Sequence, residues 1–256
     1  MATYKKTGTK IRNKKAQSST IAEDSTTAEV FNTLDETASK SEQWVIKNQK
    51  AIFGAIALIV IVILGLMAYQ KYVAEPQEKE AANELAFPKV YFEQAINSSV
   101  AVDSLFNLGL NGAEGKYGFI DVADKFSGTK AGNLAHYYAG MSFLKMKQYK
   151  DAITHLEQFS SNDALLGPTA KGAIGDAFAD INQPEDALDF YIQAANLQAN
   201  GFSTPLFLFK AGNTALELGK FDKALSLFTQ IKTDYPTSEE GKNIEVFISK
   251  ATYATK

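Results

Sequence analysis

Apolar residues in the second half of the chain recur at helical spacing, as in Ala152, Ile153, Leu156 and Phe159, and again in Ala224, Leu225, Phe228 and Ile231. These stretches belong to a larger frame. Gly140, Gly175 and Gly212 are followed nine residues later by Tyr149, Pro184 and Phe221 and twelve later by Ala152, Ala187 and Ala224, so the frame recurs at 35 and 37 residues (175−140, 212−175). A period in this range marks stacked supersecondary units. Each unit predicts a helical hairpin, in which Gly and Ala let two backbones approach and aromatic or branched neighbours fill the groove. The turns fall around Lys147-Gln148, at Asn182-Gln183-Pro184 and at Leu218-Gly219-Lys220.

The pattern resembles the tetratricopeptide repeat, including the Asp234-Tyr235-Pro236 that closes its last unit. The usual first-helix Tyr is replaced by Phe143, Phe178 and then Ala215, which makes the third groove shallower. In such arrays the first helices line a concave groove, and the frame turns Tyr137, Met141, Leu144, Asp176, Asp180, Phe209 and Asn213 towards it. This stripe mixes aromatic and Met surface with two carboxylates. It lacks the Lys/Asn set that clamps a C-terminal carboxylate in chaperone-binding repeats. An extended or helical protein segment with apolar anchors fits it better, unless the domain's own terminal helices fill part of the stripe. The expected fold is all-α: a single N-terminal transmembrane helix, then a hairpin solenoid with a C-terminal capping helix. Hairpin units are expected near 77–126, 133–160, 168–199 and 205–235, with the cap at 238–253.

One extended apolar run, Ala51 to Tyr69, carries no charge between Lys50 and Lys71. At about 1.5 Å per residue it reaches roughly the 30 Å of a bilayer core. Trp44, Tyr69 and Tyr72 stand where interfacial aromatics belong. A cleaved signal peptide fits less well, because the run is long, fifty residues precede it, and no small-x-small site follows before Glu75. The span is expected at 51–70. Residues 1–50 hold nine Lys/Arg against six Asp/Glu, and Lys47 and Lys50 lie beside the span, whereas Glu75, Glu78, Glu80 and Glu84 follow Lys71 on the far side. The positive-inside rule then puts the N-terminus in the cytoplasm and residues 71–256 in the periplasm. That domain carries 26−9 = 17 basic and 29−6 = 23 acidic residues, a balance of −6 that does not favour nucleic-acid binding.

Residues 1–27, with Lys clusters and few apolar positions, are expected to be a disordered cytoplasmic tail, solvated or in contact with anionic lipid or ribosomal RNA. Residues 28–50 predict an amphipathic helix through Val30, Phe31, Leu34, Ala38 and Val45. Pro76 is expected to interrupt any helix continuing from the span, and Pro88 to kink the one that resumes. Gly109, Gly112, Gly115 and Gly118 argue for a loop over 102–118. Near the far end, Thr237-Ser-Glu-Glu240 has capping-box spacing ahead of the closing helix.

Signals for chemistry are few. His136 and His155 are the only histidines and fall on hairpin helices, where packing or a surface position outweighs ligand duty. No phosphate loop, nucleophile elbow or His-Glu-x-x-His occurs, and the acidic run from Asp176 to Asp189 reads as a solvated face. No enzyme, cofactor or metal site is expected. With no cysteine, disulfides and lipidation at a lipobox are excluded.

The order of parts, with the junction Ser127-Gly-Thr-Lys-Ala-Gly-Asn-Leu-Ala135, resembles the YfgM-like inner-membrane proteins of bacteria over roughly residues 40–256. The resemblance implies a periplasmic repeat domain beside the SecYEG translocon, an ancillary subunit linking secreted chains to periplasmic chaperones. The long tail and the Gly-rich stretch depart from shorter members of that family. A scaffold for another envelope or outer-membrane assembly complex is the alternative.

Overall fold

The computed structural model describes residues 26–254. The expectation for residues 1–25 therefore lies outside the described residues. Every regular element among the described residues is helical, and none of them is a strand. The chain divides into two compact units at Met67/Ala68.

The first unit is occupied by α1 (Thr26–Tyr69), which runs just past its boundary. Residues 53–69 are all exposed, with Ile61 at 69%. This is a helix long and apolar enough, by length and composition, to cross a membrane.

The second unit opens with a π-helical turn, Gln70–Ala74, and continues into α2 (Glu75–Asn97). The break expected at Pro76 does not occur. The Glu75 N–H donates to the Gln70 carbonyl, and this widened turn takes up the bulk and the missing donor of a proline placed at the start of α2. Pro88 is buried inside α2, which continues through it.

The loop expected over 102–118 is also corrected. Its first part is α3 (Val102–Asn111), whose Phe106 and Leu110, four residues apart, are each 1% exposed. Gly109 lies inside this helix as a point of close approach: a Cβ there would stand 3.2 Å from the Phe119 ring and 3.3 Å from the Pro88 carbonyl. The helix ends at Gly112, with φ of +78°, and α4 (Phe119–Lys125) starts after Gly118.

Three hairpins follow: α5 (Lys130–Lys145) with α6 (Tyr149–Gln158), α7 (Leu166–Asp180) with α8 (Pro184–Asn196), and α9 (Ser203–Glu217) with α10 (Phe221–Asp234). The frame glycines do what their lack of bulk permits. A Cβ on Gly140, Gly175 or Gly212 would stand 2.5, 2.6 or 2.3 Å from the side chain of Leu156, Tyr191 or Phe228, each sixteen residues on (156−140, 191−175, 228−212). The frame alanines, Ala152, Ala187 and Ala224, are fully buried. The turns repeat as well. Lys147, Asn182 and Gly219 take positive φ of 60°, 60° and 71°. The next N–H reaches back five residues, from Gln148 to Phe143, Gln183 to Phe178 and Lys220 to Ala215, at 2.9, 2.9 and 2.8 Å.

Helix α2 is tied to the first hairpin by Glu78, whose carboxylate accepts from the N–H groups of Lys130 and Ala131 at the start of α5. At the far end, Ser238 accepts from the Gly241 N–H, a 3₁₀ turn spans Gly241–Asn243, and α11 (Ile244–Ala254) follows. The capping box read at 237–240 is thus replaced by a single Ser238 cap. Helix α11 lays Phe247 against Phe209 and Phe228, closing the core of the last hairpin.

Candidate protein-binding groove

The first helices of successive hairpins, α5, α7 and α9, lie side by side along one surface. Tyr137, Met141 and Leu144 share a face of α5, since residues at i, i+4 and i+7 superpose on a 3.6-residue turn. All three are half-buried against the seam formed by Leu156, Phe159, Ala170, Ala173 and Ile174. The Tyr137 ring lies 5.1 Å from that of Phe159, and burial, followed by the neighbouring Tyr138, pushes its hydroxyl up from the ordinary phenol pKa.

Leu144, Asp176 and Asp180 meet in an open cleft of about 450 Å3, lined also by Lys145, Lys147, Tyr149, Tyr191 and Lys210. Asp176 is already engaged. The Lys210 ammonium donates to its two oxygens at 2.6 and 2.9 Å, and the Tyr191 hydroxyl donates to it at 2.7 Å. Burial first, then that hydrogen bond and the nearby carboxylate charges, hold the Tyr191 hydroxyl protonated at any ordinary pH. One carboxylate thus joins α7, α8 and α9. Asp180 is exposed, and its charge adds to the desolvation that raises the pKa of the neighbouring Tyr149 hydroxyl. The polar floor of the cleft is therefore prearranged, while Lys145 and Lys147 stand exposed on its rim.

Phe209 and Asn213 sit elsewhere. The Phe209 ring is 4.7 Å from Phe247 of the capping helix, and Asn213 lines a smaller cavity of about 210 Å3 with Leu216, Glu217, Phe221, Lys250 and Ala254. The seven sequence candidates thus fall into three neighbourhoods: the Tyr137–Met141 seam, the Leu144–Asp176–Asp180 cleft, and a third-hairpin end covered by α11. In that last place the domain's own helix occupies the stripe.

Lys210 and Tyr191 were missed by sequence reasoning, although both leave a signal. Tyr191 stands sixteen residues after Gly175, where the other hairpins carry Leu156 and Phe228, and only there is the residue after the glycine, Asp176, a carboxylate. Lys210 lies 34 residues after Asp176, close to one repeat, which brings opposite charges onto adjacent first helices. Asp163 was also missed. Its carboxylate accepts from the N–H groups of Leu165 and Leu166, both at 2.8 Å, starting α7 and holding its own pKa below the usual range.

The tetratricopeptide repeat family model matches residues 134–164 and 207–238. These segments are most of the first hairpin and most of the third. The middle hairpin is unmatched, yet repeats the same glycine contact, buried alanine and left-handed turn. No curated protein matches the chain. Among solved structures, the chain is similar to nearly identical TPR-like repeats of a Podosopora anserina protein described as a kinesin light chain, and to a Q17M form of the same repeats. Each is 13% identical with a TM-score of 0.46, covering 70% of this chain and 88% or 87% of the other. The two matched segments are tetratricopeptide repeats set in an all-helical array, an architecture suited to protein–protein interaction.

Proposed function

We propose that the chain is a membrane-anchored, non-enzymatic adaptor whose repeats bind a protein segment. In this reading α1 spans a bacterial inner membrane with its N-terminus in the cytoplasm, and the hairpins stand on the periplasmic side. The observation that carries it is the pairing of repeat hairpins with an uncharged apolar helix exposed over residues 53–69. The contact surface is the cleft at Leu144, Asp180 and Lys210 together with the Tyr137–Met141 seam, because α11 already covers Phe209. The resemblance to YfgM-like proteins supports a place beside the SecYEG translocon, with secreted chains or periplasmic chaperones as partners.

Affinity purification of the full chain in mild detergent tests the partner. Recovery of SecY is the expected result. Recovery of outer-membrane assembly subunits without SecY selects the second reading, an envelope scaffold. Protease treatment of spheroplasts tests topology: the repeat domain should be cut and the tail protected, and the reverse pattern inverts the orientation.

A further inference from the structure

Outside the groove, His136 of α5 and His155 of α6 bring their Nδ1 atoms to 3.2 Å across the first hairpin. Both rings are half-buried, and Phe143 stacks on His155 with ring centroids 5.4 Å apart. Two neutral imidazoles satisfy this contact in one way, with one Nδ1–H donating to the lone pair of the other. Among the described residues no group of three His, Asp or Glu gathers to hold a metal ion, so the pair is read through its protons. The charge of Asp124 on α4 favours protonation of both rings, and that of Asp151 on α6 favours protonation of His155. Lys130 of α5 lines the cavity of about 520 Å3 that opens beside His136.

Protons add to such a pair in two unequal steps. The first can enter at an outward Nε2 and leave the Nδ1–H···Nδ1 bond in place. The second must enter at the accepting Nδ1, which sets two N–H groups and two positive rings against each other at a separation suited to one hydrogen bond. Burial lowers both histidines from their usual value of 6.5, and for His155 the neighbouring ring lowers it further. The sign follows: a depressed folded-state pKa contributes stability that is complete above 6.5 and is lost as pH falls through the folded value.

We propose that His136 and His155 form a two-proton latch between α5 and α6 that opens the first hairpin on acidification. Tyr137 and Met141 ride on the same helix, so the latch also governs the geometry of the seam they form. That last consequence rests on the groove reading; the latch itself does not.

The chain has no other histidine, so every imidazole signal reports the pair. The test follows the full chain in detergent micelles from pH 7.5 to 5.0, by histidine NMR titration and by hydrogen exchange corrected for intrinsic rates. The two imidazoles should titrate in two coupled steps below 6.5. Over that range the opening constant of α5–α6 should rise at least about tenfold, while that of α9–α10, which holds no histidine, stays within about twofold. In His155→Gln the acid-dependent rise in α5–α6 should fall below about threefold. Should that variant fail to fold, the contrast between the two hairpins in the wild-type chain decides. Independent titration of both rings near 6.5, or α5–α6 as protected at pH 5.0 as at 7.5, overturns the latch.

Discussion

The layer formed by α2, α3 and α4 and the three hairpins that follow meet the same packing problem with different chain connections. In each, a glycine inside one helix lets a large side chain from the next helix lie against the backbone. Phe119 does so at Gly109, and Phe228 does so at Gly212. In the hairpins the two residues are always sixteen apart, because a left-handed turn of fixed length separates the helices. At Gly109 the separation is ten (119−109), because α3 ends early at Gly112 and α4 is short. The physical contact is shared, and the periodicity is not. A repeat frame detects the connection, so it finds the hairpins and passes over an equally packed layer beside them.

The largest expected effect tests whether the two regions are equally packed. Phe228 is fully buried and Phe106 is 1% exposed. Truncating either to Ala should cost about 3–5 kcal/mol, from lost transfer energy and the cavity left behind. Thermal melts of the full chain in detergent, followed by circular dichroism, measure this. A Phe106→Ala variant that melts with the wild type would show that α3 is not part of the folded core, and the comparison would fail.

Gly109 shows why part of the fold was hidden. Four glycines between 109 and 118 look alike in sequence, but Gly112 and Gly115 take positive φ, Gly118 precedes a helix, and Gly109 is helical. Only the partner across the contact distinguishes them, and Phe119 and Pro88 are assigned to it by tertiary packing. The hairpins were legible because glycine, turn and alanine recur together. The candidate groove was legible at Leu144, Asp176 and Asp180, which share one cleft, but its charge balance was not. Asp176 looks like a free carboxylate until the 34-residue offset to Lys210 is noticed. Phe209 has the periodicity of a groove residue, and periodicity says nothing of a later helix covering it.

A smaller test compares the glycines directly. In Gly175→Ala the new methyl would meet the Tyr191 ring at 2.6 Å, and that ring is anchored by its hydrogen bond to Asp176. Overpacking should cost about 1–3 kcal/mol, outweighing the gain of about 1 kcal/mol from helix propensity. In Gly109→Ala the nearest atoms are at 3.2 and 3.3 Å, so strain and propensity should nearly cancel, leaving a change under about 1 kcal/mol. Equal losses at the two sites would mean that the layer is as tightly constrained as the hairpins.

Asp176→Ala removes the acceptor that joins three helices and leaves the Tyr191 hydroxyl unpaired. Lys210 and Asp176 are each about a third exposed (34% and 38%), so the ion pair is screened and the expected loss is about 1–2 kcal/mol. Asp176→Asn keeps an acceptor for Tyr191 and loses the charge pairing, and should cost about half as much. If both variants melt with the wild type, the network contributes no net stability and the carboxylate is available to a partner.

The smallest effect is a gain, and it comes from the turn that the hairpins share. Lys147, Asn182 and Gly219 occupy the same left-handed position, with φ of 60°, 60° and 71°. Glycine, which has no Cβ to clash with the backbone, adopts this conformation without strain, and asparagine tolerates it better than lysine. Lys147→Gly should therefore stabilise the first hairpin by up to about 1 kcal/mol, the relief being partly offset by the extra freedom glycine gives the unfolded chain. The melting temperature should rise by about 1–3 °C. Asn182→Gly should gain less, and Gly219→Lys should lose about what Lys147→Gly gains. Lys147 also stands at the rim of the candidate cleft. A lysine kept in a strained turn, where the third hairpin carries glycine, is what a binding role there would require. A Lys147→Gly chain that is more stable yet recovers less partner would place that lysine in the binding surface, whereas unchanged recovery would leave the strain without a functional reason.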